Sequence, residues 1–158
     1  PEEWRRVRDL RLRALEDSPD AFGSLLERER DHVEADWMGW ISGWGGGRNR
    51  LFVAALDGEW VGMAVGSKAA DDPIAHLYGM WVEPRMRGTG LGGRLIEAVV
   101  AWVASLGVAE IELAVTETND TAGAFYEARG FVDTGARQPL RVGSPLRVIV
   151  MRRRVPIR

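Results

Sequence analysis

The stretch Arg85-Met86-Arg87-Gly88-Thr89-Gly90-Leu91-Gly92-Gly93 constrains this chain more than any other. It sits between an apolar segment, Ile74–Glu83, which Pro84 ends, and a segment, Leu91–Leu106, whose apolar residues recur at helical spacing. Four glycines in six residues, 88–93, exceed what a plain strand-to-helix turn needs. Lacking Cβ atoms, such a loop lets backbone N–H groups approach an anion, and the helix N-terminus behind it adds partial positive charge. A pyrophosphate is the natural ligand.

The surrounding elements restrict the fold further. Residues 2–16 read as a helix with Trp4, Val7, Leu10, Leu12 and Leu15 on one face, ended by Ser18-Pro19-Asp20. A second helix is expected from about Ser24 to Trp44. Its tryptophans 37, 40 and 44 share one side, as core or also as the wall of a substrate pocket. Leu51–Leu56 and Trp60–Ser67 read as a hairpin around Asp57-Gly58. Ile74–Glu83 follows as a third strand, then the helix closed by Gly107, then a strand at Ile111–Val115. A short helix over Asn119–Arg129 and two strands, Phe131–Thr134 and Leu146–Arg152, complete the chain. Strand, helix and strand across 74–115 form a crossover unit, which requires parallel neighbours. The expected class is α+β, with a mixed, mostly antiparallel sheet, in one domain over residues 1–158.

Composition removes several functions. Net charge is −2, which offers no global field for nucleic acid or an anionic membrane. Arg152-Arg153-Arg154 lack the interleaved aromatics of an RNA site and read as a solvated strand end. No apolar run reaches membrane-spanning length, and no charged leader with an apolar core opens the sequence. The absence of cysteine excludes disulfides, thiolate metal sites and a cysteine nucleophile, and fits a reducing cytoplasm. Two histidines are too few for a zinc site without carboxylates, so no metal is expected.

Gly88-x-Gly90-x-x-Gly93 also spells a dinucleotide fingerprint, with Glu112 near the ribose-binding distance. Such loops usually follow the first strand of an alternating α/β run, whereas here antiparallel-looking strands come first. The stretch from His76 to Phe131 instead resembles the GCN5-related N-acetyltransferase (GNAT) superfamily. One block is Met80-Trp81-Val82-Glu83-Pro84 leading into Arg87-x-x-Gly90-x-Gly92. The other is Asn119-x-x-Ala122-x-x-Phe125-Tyr126, ending in Gly130-Phe131. Both occur in the family's order, separated by a helix and a strand. The family's usual first strand would lie before Pro1.

The resemblance implies a site. Amides of Arg87, Gly88, Thr89, Gly90, Leu91 and Gly92 would cradle the pyrophosphate of acetyl-CoA. The strand end at Trp81 and Val82 would splay from its neighbour and pair with the pantetheine arm. Asn119 is similar to the family's cofactor-contacting asparagine and is also a natural N-cap. Tyr126 is similar to its general acid. Some relatives carry a basic glutamate where this chain has Ala114. Others carry a glutamate or histidine where it has His76, with Tyr78 on the same strand face. A structural role for His76 stays equally open, and Glu83 and Glu112 are reserves.

The implied activity is acetyl transfer to a primary amine of a small molecule or peptide. Without cysteine it proceeds by direct attack in a ternary complex. A non-catalytic acyl-CoA sensor is the alternative of another class. The resemblance assigns the acceptor to variable segments, here 18–45 and 136–146, and leaves a homodimer open.

Overall fold

The computed structural model describes residues 3–43 and 46–156. Helix α1, Glu3–Asp17, buries Val7, Leu10, Ala14 and Leu15, the i, i+3, i+4 pattern read from the sequence. A 3-10 turn over Pro19–Ala21 follows. The helix expected from about Ser24 to Trp44 forms as two pieces, α2 (Leu26–Arg30) and α3 (Glu34–Ser42). The break has a local cause. Val33 is extended, and its N–H donates to the Asp36 carboxylate at 2.9 Å, which starts a new helix there. Trp37 and Trp40 fall on α3, whereas Trp44 lies outside the described residues.

Strands β1 (Arg48–Leu56), β2 (Glu59–Lys68) and β3 (Ala75–Val82) form the meander. Helix α4 (Leu91–Ser105), β4 (Glu110–Thr116), α5 (Asp120–Glu127), β5 (Val132–Pro139) and β6 (Arg147–Arg154) follow. The sheet order is β1-β2-β3-β4-β6-β5, and only β3 and β4 run parallel. This is the mixed α+β architecture expected from the pattern. A dinucleotide fold is excluded, because the glycine loop follows the third strand of an antiparallel meander. Among the described residues no helix is long and apolar enough to cross a membrane.

Each face of the sheet carries its own core. Leu95, Ile96, Val99, Val100 and Val103 of α4 pack with Leu77, Ile111, Leu113 and Val115 on one face. Leu10, Ala14 and Leu15 of α1 pack with Met63, Trp81 and Phe22 on the other.

One irregularity in β3 creates the site. Tyr78 pairs with Val65 but Trp81 pairs with Met63, so Gly79 and Met80 together oppose Ala64. Gly79 takes φ +57°, the left-handed conformation of a glycine bulge. The extra residue reverses the strand's alternation: Leu77 joins the α4 core, whereas Trp81 joins the α1 core. Bulges also bend strands. Accordingly, β3 and β4 pair only at Ala75–Ile111 and His76–Glu112, and then part.

Candidate active site

The glycine loop opens onto a cleft of about 700 Å³ at the parted strand ends. Gly90 caps α4 with φ +89°, and Arg94 is the first residue to bond back, to the Gly90 carbonyl. The amides of Leu91, Gly92 and Gly93 therefore have no intrahelical partner and supply the donor set of a helix N-terminus. Val82, Arg87, Gly88, Gly92 and Asn119 all line the cleft. Thr89 and Leu91 are not among its lining residues, and the Thr89 hydroxyl turns back to the Met86 carbonyl at 2.6 Å. Asn119 does cap α5, accepting from the Ala122 N–H at 3.2 Å, while also facing the cleft.

Arg87 is braced rather than free. Its Nε donates to the Val82 carbonyl at 2.9 Å and its Nη2 to Asp17 at 2.7 Å. The same Asp17 oxygen accepts from the Trp81 indole at 3.0 Å and from Ser18 at 2.7 Å. The Trp81 and Ser18 bonds, then Arg87, hold the Asp17 carboxyl below its ordinary range. The end of α1 is thus tied to β3 and to the glycine loop.

A second cavity, of about 810 Å³, lies on the α1 side of the sheet. Phe22, Ser24 and Trp40 line it from the segment 18–45, and Gln138, Pro139 and Leu140 from 136–146. Trp37 is core, buried to 1% exposure, so only Trp40 of the described stripe walls a pocket. His76 and Tyr78 face this cavity from β3, and Glu112 and Ala114 from β4. His76 Nε2 lies 2.8 Å from an Asp72 oxygen, whose other oxygen accepts from the Ile74 N–H at 2.9 Å. The Ile74 amide first, then His76, keep the Asp72 carboxyl below its usual range. The His76 and Tyr78 rings stack, with centroids 5.8 Å apart and planes 8° apart. Burial, then the Asp72 and Glu112 charges, raise the Tyr78 phenol. The reserve bases are paired, Glu112 with Arg152 at 2.7 Å and Glu83 with Arg85 at 3.1 Å. Arg153 likewise pairs with Glu97 at 2.9 Å, so the arginine run is largely neutralised.

The two cavities share four lining residues, Ala21, Met80, Ala114 and Tyr126. Tyr126 belongs to α5, on the α4 face, yet it borders both cavities and so stands at the gap between β3 and β4. Its ring packs edge-on against Phe125 and Phe131, at 5.3 and 5.9 Å. Among the described residues its hydroxyl has no hydrogen-bond partner, and burial pushes the phenol upward.

The acetyltransferase (GNAT) family model matches residues 4–131. The chain belongs to this family. A mycothiol acetyltransferase of Thermobispora bispora is 31% identical over 77% of this chain and 40% of its own length. The chain spans about two fifths of the mycothiol acetyltransferases that it matches first. An aminoglycoside N(6')-acetyltransferase type 1 of Stenotrophomonas maltophilia is 33% identical, over 73% of each chain. A Bacillus anthracis protein solved in complex with acetyl coenzyme A superposes with a TM-score of 0.60. It is 26% identical over 68% of this chain and 63% of that one. Family membership bears out the resemblance carried by the two motifs.

Two residues of the site escaped sequence reasoning. Asp17 closes α1, 64 residues from the Trp81 that it binds, and nothing local marks it. Asp72 stands four residues before His76, outside β3, and nothing in the strand pattern marks it.

Proposed function

We propose that the chain is an acetyl-CoA-dependent N-acetyltransferase acting on a primary amine of a small molecule, with a peptide amine as the alternative acceptor. One observation carries this reading. A cleft with free helix-terminal amides and an aromatic-walled cavity meet at a gap in the sheet beside a tyrosine hydroxyl. The amides of Gly88, Gly90, Gly92 and Gly93, which line the cleft, hold the diphosphate, as glycine loops at helix N-termini do. The inner edge of β3 at Val82 lies beside the pantetheine arm, and a nearby amide polarises the thioester carbonyl. The thioester supplies the acyl carbon, and the amine enters from the Trp40 side.

The attacking nitrogen must be neutral. For a lysine-like amine at pH 7 this costs about 4.6 kcal/mol. His76, oriented by Asp72, takes that proton through a water relay. Tyr126 protonates the departing thiolate. From an unperturbed phenol to a thiolate of pKa near 8.5 the step is uphill by about 2 kcal/mol, and burial of Tyr126 adds to that. Transfer therefore follows thiolate charge as it develops at hydrogen-bond distance. With no cysteine, an acyl-thiol enzyme has no residue to form on.

The test is release of free CoA from acetyl-CoA across a panel of primary amines, repeated with Tyr126→Phe. Turnover should fall about 100-fold or more, with acetyl-CoA affinity held within about twofold. Unchanged turnover removes Tyr126 from the chemistry. Tight acetyl-CoA binding with no turnover on any amine favours the sensor reading.

A further inference from the structure

We propose that the neck between the two cavities admits acyl chains longer than acetyl, so that the chain also transfers propionyl and butyryl groups from their CoA thioesters. This rests on the functional reading above. A thioester held in the cleft meets an amine in the second cavity at the neck, because among the described residues Ala21, Met80, Ala114 and Tyr126 alone border both. Two of these four are alanines, and both are exposed.

Ala114 is the telling one. It lies within an inner strand, paired with Val150 of β6, between buried Leu113 and Val115. An inner-strand residue stays exposed there only because β3 has already parted from β4. A methyl group at that position leaves open space that a longer side chain would fill. Met80 leans away from it. A Cβ on Gly92 would come within 3.3 Å of the Met80 Cε, so the thioether end rests against α4. An unbranched thioether also adapts its shape to what lies beside it. Beyond the neck the cavity of about 810 Å³ holds an amine and leaves room for a short alkyl tail.

The chemistry is the same for each chain length. The C–N bond forms as the C–S bond breaks, the amine proton goes to the base, and the thiolate takes the Tyr126 proton. No further reactant is needed.

The experiment compares acetyl-, propionyl- and butyryl-CoA in the amine assay and by calorimetry, for the parent, Ala114→Leu and Ala21→Leu. In the parent, propionyl-CoA should match acetyl-CoA in kcat/KM within about tenfold and bind up to about fourfold tighter for its added methylene. Ala114→Leu should cut propionyl and butyryl transfer at least about tenfold more than acetyl transfer. Ala21→Leu, in a surface turn, gives the same comparison should the strand variant fail to fold. An acetyl preference above about 100-fold in the parent, or equal losses for all three thioesters in both variants, overturns the proposal. Binding separates this failure from failure of the functional reading. If no amine is acetylated, a butyryl-CoA affinity at least equal to that of acetyl-CoA still supports the open neck, and a tenfold weaker one overturns it.

Discussion

Glutamine at position 29 should cost the fold about 3 kcal/mol. Glu29 of α2 and Arg11 of α1 are joined at 2.9 and 3.1 Å, and their side chains are only 5% and 9% exposed. The guanidinium carbon also lies 4.7 Å from the Phe22 ring centre and 5.4 Å from that of Trp40, in the wall of the second cavity. Among the described residues its Nη1 has no hydrogen-bond partner. Deleting the carboxylate charge leaves a nearly buried cation without its anion, and breaking a buried pair this way costs about 3–5 kcal/mol. Glutamine still accepts one hydrogen bond, which puts the expected loss at the lower end. Against a total stability of about 5–15 kcal/mol the loss is large. Replacing both partners, as Arg11→Met with Glu29→Leu, removes the charge and keeps the volume, so that variant should fall within about 1 kcal/mol of the parent. Urea denaturation at pH 7, followed by far-ultraviolet circular dichroism, measures all three. A loss below about 1 kcal/mol for Glu29→Gln, or equal losses for the single and double variants, refutes the claim that the pair is desolvated.

Further outcomes concern Asp17 at the end of α1 and Tyr126 at the neck. Asp17→Asn keeps an acceptor for the Trp81 indole but loses the charge facing half-exposed Arg87, so it should cost about 1 kcal/mol or less. Asp17→Ala also strands the buried indole N–H and should cost about 2–3 kcal/mol; equal losses would show that the indole bond contributes nothing. Because the folded-state pKa of Asp17 is depressed, its contribution is complete above the unfolded value and fades as pH falls through the folded one. The gap between parent and Asp17→Asn should therefore narrow below about pH 4 in acid titrations of stability. Burial raises the Tyr126 phenol, which then stays protonated past its ordinary value near 10. Turnover should show no falling limb below about pH 10 that depends on Tyr126; a limb between about pH 8 and 9 that vanishes in Tyr126→Phe would contradict this.

The cofactor side was legible because its information is local. Helix spacing in α1 and α4, the hairpin at Asp57-Gly58 and the glycines before α4 each act within a few residues, and all appear where the sequence puts them. Asn119 illustrates the point: an N-cap is decided within three residues, and the same side chain faces the cleft. The break between α2 and α3 was less legible. Residues 27–32, Glu-Arg-Glu-Arg-Asp-His, hold no glycine or proline to mark it, and the Asp36 carboxylate that takes the Val33 amide begins the next helix.

The second cavity depends on a single residue whose effect is not local. A glycine inside an apolar strand signals a bulge or a close approach of backbone, and Gly79 stands in such a strand. Which it is depends on β2, where Ala64 must oppose two residues at once. Once the bulge is present, strict alternation fails beyond Tyr78, and Trp81 crosses to the α1 face, where Asp17 meets it. The same extra residue accompanies the parting of β3 from β4 and thereby exposes Ala114 and lets Tyr126 border both cavities. Deleting Gly79 would restore strict alternation, with Met80 alone opposite Ala64 and Trp81 still opposite Met63 on the Asp17 side, and would remove the bend that accompanies the parting of β3 from β4. The second cavity is therefore a consequence of strand register, and a reading that follows one strand at a time loses it at the bulge.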